Sequence, residues 1–412
     1  MSVASSKSLG SPSSEPSTSR PLRDSPRERR GRPTLIGIDV RRSGGFGVGT
    51  YIQNLVQALA RLGGEEEYVL VARPGQTQNF GSLPANFRFE TYPRDFDAPR
   101  SHVSFQFLLR RLGLDLFHMP HRWVPYFMPV TYVATLHDLN NILFPADDAS
   151  PTAERVKRYF LAHGLKNAAR VMAVSEATKL DGVTRLGLSA DNIEVIPDAV
   201  DEHVAQRVHP EERERTLARY QINDPFLLYA GRIQVHKNVP RLIEAFAVVK
   251  AELENHPKYR NLRLIIIGDE LNTTPAVRHS VQRSGIQQSV RFLGFVPVDT
   301  LRVFYDEATA FLFPSLYEGF GLPPLEAMAH GAPVVTSNVS ALPETVGNAA
   351  VLVNPENVFD IARGMRQVLL DEEFREELRE RGYKQVQRFS WDVSARRVLE
   401  VYRQVALRAR AR

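Results

Sequence analysis

From Thr34 onward the chain alternates short apolar runs with longer amphipathic stretches. "TLIGIDV" reads as a buried strand. Behind a Gly-rich turn, "YIQNLVQALARLG" places Ile52, Leu55, Val56 and Leu59 at helical spacing. "EYVLVA", "LDLFHM", "VTYVATL", "RVMAVS" and "NIEVIPD" are further predicted strands, and "ERVKRYFLAHGLKNA" is a predicted helix among them. Residues 202–222 break the rhythm: they are charged and poor in β-branched side chains. The alternation then restarts with the strands "PFLLYAG", "LRLIIIGD", "VRFLGFV", "ATAFLFPS" and "APVVTS", and with the helix "VPRLIEAFAVVKAEL". Strands separated by helices predict parallel sheets covered on their faces, an α/β class. The expected plan is two doubly wound, Rossmann-like domains, 34–205 and 206–389, facing across a cleft. A tail precedes them at 1–33, and a closing helix follows at 390–412. Ligands of such sheets bind beyond the carboxyl ends of the strands, and with two domains the natural site is the cleft.

Composition narrows the classes. The 412 residues are 43% apolar and 24% charged, as in a soluble globular protein. No apolar run approaches the ~18 residues of a spanning helix. Cysteine is absent, which removes disulfide and thiolate chemistry and fits a reducing, cytoplasmic setting. The first 32 residues hold seven Lys/Arg against three Asp/Glu, so they supply +4 of the net +5. The remainder is nearly neutral, which argues against a nucleic-acid binder. The tail is rich in Ser, Pro and Arg, is expected to be disordered, and lacks the apolar core of a secretory signal.

Three strand-to-helix turns carry unusual chemistry. In "DVRRSGGFGVGTYIQNL", Gly44, Gly45, Gly47 and Gly49 allow close backbone approach beside a helix N-terminus, which suits a phosphate or sugar. The spacing is not GxGxxG, so a dinucleotide site is not indicated. In "YAGRIQVHKNVPRLIEAF", Arg232 and Lys237 leave a strand just before a helix with Asn238 as expected N-cap and Pro240 in its first turn. Two cations beside free amides suit a pyrophosphate. In "SLYEGFGLPPLEAMAHG", Glu318 sits in a loop, Pro323 and Pro324 open a helix that Gly331 ends, and Glu326 is expected in its first turn. Helix-dipole stabilisation accounts for an acid there but not for Glu318. Carboxylates repel a diphosphate and accept hydrogen bonds from vicinal diols. Cations and amides would therefore hold the diphosphate, and acids the sugars on either side of it.

With these residues in place, the chain resembles the retaining, nucleotide-sugar-dependent glycosyltransferases of the two-Rossmann GT-B fold, family 4, over roughly Leu35 to Tyr402. The matching stretches are "GGFGVGTYIQNL", "LHDL", "AVSEATK", "GRIQVHKN", "GFV", the Glu-x7-Glu motif "EGFGLPPLE" and "HGAPVVTSNVSALPETVG". "FSWDVSARRVLEVYR" is similar to the family's closing helix, which packs back across the N-terminal domain. The resemblance implies that Arg232 and Lys237 bind the donor phosphates, that Glu326 holds the ribose, and that Glu318 lies near the donor sugar. It also implies that the amides of Phe320, Gly321 and Leu322 touch sugar and phosphate, and that Gly45 presents its amide to the diphosphate. His137 would contact the transferred sugar, with Asp138 beside it as a turn or cap residue. Gly268 and Val296 would flank the base. Displacement with retained configuration is the implied reaction, stabilised by charge at the leaving diphosphate, with no cofactor beyond the nucleotide sugar.

Asp95-Phe96-Asp97 is a DxD of the kind that holds a divalent metal in another transferase fold. Its Pro- and Arg-flanked setting reads as a surface loop, and no metal is expected. An NAD-dependent enzyme, a non-catalytic nucleotide-sugar binder, and an epimerase or phosphorylase are the rival readings. GDP-mannose is the favoured donor, with UDP-glucose open. The acceptor is expected to be a glycan or a lipid-linked glycan, near "HMPHRWVPYFMPV" with Trp123, Tyr126 and Phe127. Those aromatics and nearby basic residues would also suit peripheral contact at the inner face of a membrane.

Overall fold

A computed structural model describes residues 32–45, 47–94, 99–121, 124–145, 150–268 and 275–411. The expected disorder of the first 31 residues, the Asp95-Phe96-Asp97 motif and Trp123 lie outside them.

The apolar runs form two sheets. The first contains β1 (Leu35–Asp39), β2 (Glu67–Ala72), β3 (Phe87–Thr91), β4 (Leu116–Met119), β5 (Tyr132–Leu136), β6 (Arg170–Ala173) and β7 (Ile193–Val195), in the order β3-β2-β1-β4-β5-β6-β7. The second contains β8 (Phe226–Ala230), β9 (Arg263–Ile267), β10 (Val290–Gly294), β11 (Ala310–Phe313), β12 (Val334–Ser337) and β13 (Ala350–Val353), in the order β10-β9-β8-β11-β12-β13. Every pairing is parallel; Ile36, for example, lies opposite both Tyr68 and Leu116. All five residues of β1, β5 and β8 are buried, as expected where helices cover both faces of a sheet.

Two edge strands, β3 and β13, were not apparent from pattern. "FRFET" alternates polar and apolar residues and is half covered. "AVLV" is four residues long and follows a Gly-Asn turn. The charged 202–222 stretch contains a helix, Pro210–Tyr220, with no buried residue.

The last helix, Trp391–Arg410, packs on the helix Val48–Leu62 against the first sheet. Trp391, Val398, Tyr402 and Val405 share one core cluster with Ile52, Leu55 and Val56, and each such buried side chain contributes roughly 1.5–3 kcal/mol. Polar contacts fix its register: the Ser394 hydroxyl donates to the Pro197 carbonyl at 2.6 Å, and Arg410 pairs with Asp115 at 2.8 Å. The sheet reversals, between β1 and β4 and between β8 and β11, put the loops after these strands at the edge where α/β sheets receive ligands.

Candidate active site

The loop after β8 carries Arg232 and Lys237. Arg232 is exposed and makes no ion pair among the described residues. Lys237 turns inward. Its ammonium donates to both oxygens of Glu318, at 2.7 and 2.9 Å, and lies 4.9 Å from the centre of the Phe313 ring. Both side chains are mostly covered, at 15% and 9% exposure.

Asn238 is the geometric N-cap of the helix Val239–Glu252, but its side chain does not cap it. Its backbone is left-handed, at φ 60°, and its amide nitrogen donates to the carbonyls of Pro314 and Pro355. Asn238 therefore ties the Lys237 loop to the loops after β11 and β13 instead of satisfying helix amides. Ser340, also left-handed at φ 54°, accepts the Glu318 amide on its hydroxyl at 2.9 Å. The Glu318 carboxylate is thus held by its backbone as well as by Lys237.

The loop after β11 leads into the helix Leu322–Ala329. One expectation changes here. Glu326 is the fifth helical residue, beyond the first turn. Pro323 and Pro324 carry no N–H, so among the first three helical positions only Leu322 offers an amide. The amides that the resemblance assigns, those of Phe320, Gly321 and Leu322, all precede the two prolines. Gly331 closes the helix as expected: its amide bonds to the Met328 carbonyl, and the Ala332 amide to that of Ala327. Phe320 is buried edge-on against Phe389, and Gly321 is the N-cap residue.

Glu326 accepts from the Tyr305 hydroxyl at 3.0 Å. Burial pushes its carboxyl above the ordinary range, the Tyr305 hydrogen bond pulls it back, and the nearby Asp201 carboxylate adds to the rise.

His137, after β5, joins this group through backbone contact. Gly319 lies so close to it that a Cβ there would sit 1.7 Å from the His137 carbonyl oxygen, so no side chain fits. The Gly319 carbonyl accepts from Ser175 at 2.6 Å and from Thr178 at 2.9 Å. The His137 ring donates from Nε2 to the Pro120 carbonyl at 3.1 Å and packs edge-on against Tyr51, 4.6 Å between centroids. Behind it runs a buried chain: Tyr51 to Thr135 at 3.1 Å, Thr135 to His118 at 2.8 Å, and His118 to Tyr402 of the last helix at 2.6 Å. Burial drives the His118 imidazole down to about 3, so it is neutral in this network. Asp138 accepts the Asn140 amide at 2.9 Å, a turn role.

The remaining residues fall into different places. The Gly45 amide is engaged with the Arg42 carbonyl at 3.2 Å, inside its own turn. A Cβ on Gly268 would lie 2.0 Å from the Gly231 carbonyl oxygen, so Gly268 serves the approach of the ends of β8 and β9. Val296 is buried and its side chain packs in the core of the second half.

The structure therefore brings Lys237, Glu318 and His137 together. It puts Arg232 on the same loop as Lys237, and places Glu326 one helix further along, near Asp201. Sequence reasoning had missed a set of residues that join the two halves. Glu344 accepts the amides of Glu176 and Ala177 at 2.9 and 3.2 Å, so an acid of the second half meets the start of the helix Glu176–Leu186 in the first. Tyr317 donates to Asp181 at 2.8 Å. Ser175 caps this helix locally through the Thr178 amide at 2.9 Å, so only the amides of Glu176 and Ala177 call for a remote acceptor, and nothing in "ALPETVG" says that Glu344 is that acceptor. Asp198 is a second omission: a buried acid with an unpartnered Oδ1, pushed up to about 8 by burial.

Known proteins resemble this chain in sequence and in fold. Residues 46–204 match the model for Glycosyltransferase Family 4, and 212–385 match that for Glycosyl transferases group 1. The chain is 32% identical to O-antigen chain mannosyltransferase B of Escherichia coli over 292 residues, which is 70% of this chain and 74% of that protein. It is 32% identical over 237 residues to the serotype-specific mannosyltransferase WbdA of Escherichia coli, 57% of this chain but only 29% of WbdA. Two solved structures share the fold: sucrose-phosphate synthase from Thermosynechococcus elongatus (TM-score 0.72, 23% identity, 90% of this chain and 99% of that one) and Anabaena HepE in complex with UDP-glucose (TM-score 0.70, 19% identity, 90% and 99%).

Proposed function

We propose that this chain, which belongs to the glycosyltransferases of group 1 and family 4, transfers a hexose from a nucleoside-diphosphate sugar to a hydroxyl of a glycan or lipid-linked glycan, with the anomeric configuration retained. Mannose is the favoured sugar and GDP-mannose the favoured donor, because the E. coli relatives are named mannosyltransferases. HepE was solved with UDP-glucose, which keeps a uridine donor in the test.

The observation that carries the reading is the Lys237–Glu318 pair, held beside His137 where the loops of the two halves meet. In the proposed complex a diphosphate oxygen takes over the Lys237 ammonium, and Arg232, free on the same loop, closes on the other phosphate. Glu318, released from Lys237, accepts hydroxyls of the donor sugar. Glu326, beside Tyr305, accepts those of the ribose. The amides of Phe320, Gly321 and Leu322 complete the cradle, and Gly45 reaches the diphosphate once its amide leaves the Arg42 carbonyl. The base lies near Gly268 and the backbone of Val296.

His137 contacts the transferred sugar from the opposite half, its ring braced by Tyr51. Bond breaking places charge on the departing diphosphate, where two cations in a site of reduced dielectric are most effective. The diphosphate then accepts the acceptor's proton as the new bond forms on the same face. Exclusion of water between the halves limits hydrolysis of the donor. The working division is 34–205 for the acceptor and 206–389 for the nucleotide sugar, with 390–412 clasping the first half. The chain would act in the cytoplasm at the inner face of a membrane.

A thermal-shift screen of nucleotide sugars tests this. A true donor raises the melting temperature by mass action, GDP-mannose is expected to give the largest rise, and Lys237→Ala abolishes it while Lys237→Arg restores part. If no nucleotide sugar stabilises the wild type, the assignment is wrong.

A further inference from the structure

The helix Pro151–Lys166 does not behave like a helix that covers a sheet. Its buried residues are Gly164 and Leu165, both at its C-terminal end. From Arg155 to Phe160 six consecutive residues are exposed. At 3.6 residues per turn, six residues pass right round the axis, so this stretch has no covered side. A solvated helix should be polar all round, yet this one exposes Val156, Tyr159 (58%) and Phe160 (44%).

The loop residues Tyr126 and Phe127 (68% exposed) extend the same patch. Tyr126 meets Phe127 and Phe160 edge-on, at 4.7 and 5.7 Å between centroids, and stacks on His163 at 4.0 Å. Arg155, Lys157 and Arg158 occupy a single turn of the helix; Lys157 pairs with Glu154, the one acid of the helix, at 2.7 Å, and Arg158 donates to the Arg185 carbonyl at 2.7 Å, so three cations against one acid leave this exposed turn net positive.

Rings and aliphatic side chains left in water, interleaved with cations on a helix that the fold leaves uncovered, form an interfacial element. We infer that this patch seats the protein on an anionic lipid surface, with Phe127, Tyr159 and Phe160 at headgroup depth and Arg155, Lys157 and Arg158 against lipid phosphates. Charge complementarity selects this occupant. A second copy related by a two-fold axis would set this net positive patch against the same net positive patch, whereas an anionic bilayer suits its charge and its rings together. The inference deepens the membrane-face placement proposed above and does not depend on the donor. Its test reads lipid binding, so its failure would leave the transferase reading standing.

The experiment is co-sedimentation of the full chain with phosphatidylcholine vesicles prepared with and without phosphatidylglycerol. The wild type is expected to pellet with the anionic vesicles and to stay in solution with the zwitterionic ones. Each cation near an anionic surface is worth about fivefold in partitioning, so Arg155→Gln with Lys157→Gln lowers it roughly twentyfold at low salt. Phe127→Ser with Phe160→Ser lowers it at every salt concentration. All four positions are exposed, so the fold should be unchanged, as circular dichroism and the melting temperature would read. The cations of the first 32 residues are common to every variant, so the difference between variants reports the patch. The inference is overturned if the wild type pellets with neither vesicle or if the variants pellet as the wild type does. It is also overturned if sedimentation velocity finds a dimer that Phe127→Ser with Phe160→Ser converts to a monomer.

Discussion

Replacing Glu318 with Gln separates the two tasks assigned to the Lys237–Glu318 pair. In the protein without nucleotide, the carboxylate neutralises the ammonium at 2.7 and 2.9 Å. A phosphate oxygen that takes over this ammonium at about 2.8 Å, with Glu318 turned aside toward the donor sugar, would still lie roughly 5 Å from the carboxylate. At an effective dielectric of about 20, two unit charges at that separation repel by about 3 kcal/mol. Residual exposure of 15% and 9%, with some relaxation, reduces the repulsion by about half. Gln keeps the shape and one acceptor oxygen, so the pocket survives and the repulsion goes. Glu318→Gln should therefore bind GDP or UDP about tenfold more tightly than the wild type, while sugar transfer falls at least a hundredfold because the hydroxyl acceptor is weakened. Isothermal titration with the free nucleotides, at two salt concentrations, measures the first effect, and release of nucleotide from the donor measures the second. Unchanged or weaker nucleotide binding in Glu318→Gln would show that Lys237 does not hold the diphosphate beside this carboxylate.

Gly319→Ala would place a Cβ 1.7 Å from the His137 carbonyl oxygen and 3.0 Å from Asp138 Cβ. The loop must retreat, at a cost of about 1–3 kcal/mol or more, and kcat should drop at least tenfold; a wild-type kcat would remove this contact from the account. Asp198, with its carboxyl raised to about 8 by burial, keeps its proton in the folded protein at pH values where the unfolded chain has lost it. Stability should thus fall by up to about 1.4 kcal/mol per pH unit from the ordinary carboxyl range to about 8. Asp198→Asn should flatten that slope and be the more stable protein at pH 8, as urea titrations across the range would reveal; parallel slopes would refute it.

Much of the architecture was legible because parallel strands buried on both faces leave continuous apolar runs, as in "LIGID" and "FLLYA". β3 and β13 escaped because edge strands are half covered and short. Of the candidate residues picked by type, the structure brings Lys237 of the cationic turn onto Glu318 and leaves Glu326 one helix further along. The site was not legible where a residue's partner is remote in sequence. Nothing in "HKN" announces that Lys237 will meet a glutamate 81 positions on or that Asn238 will join three loops. Nothing in "EGFG" announces that Gly319 will press on the carbonyl of His137. Val296 shows the reverse: a position taken from resemblance turns its side chain into the core. The chain is a glycosyltransferase of GT-B fold, and in the proposed function the grip of its halves on a donor depends on these long-range contacts.

The most direct measurement is a crystal structure of the protein soaked with GDP-mannose or with GDP. The account predicts a diphosphate oxygen on the Lys237 ammonium in place of Glu318, with the ribose against Glu326 and the sugar between Glu318 and His137. A nucleotide found away from the loops after β8 and β11, with the Lys237–Glu318 pair intact, would contradict it.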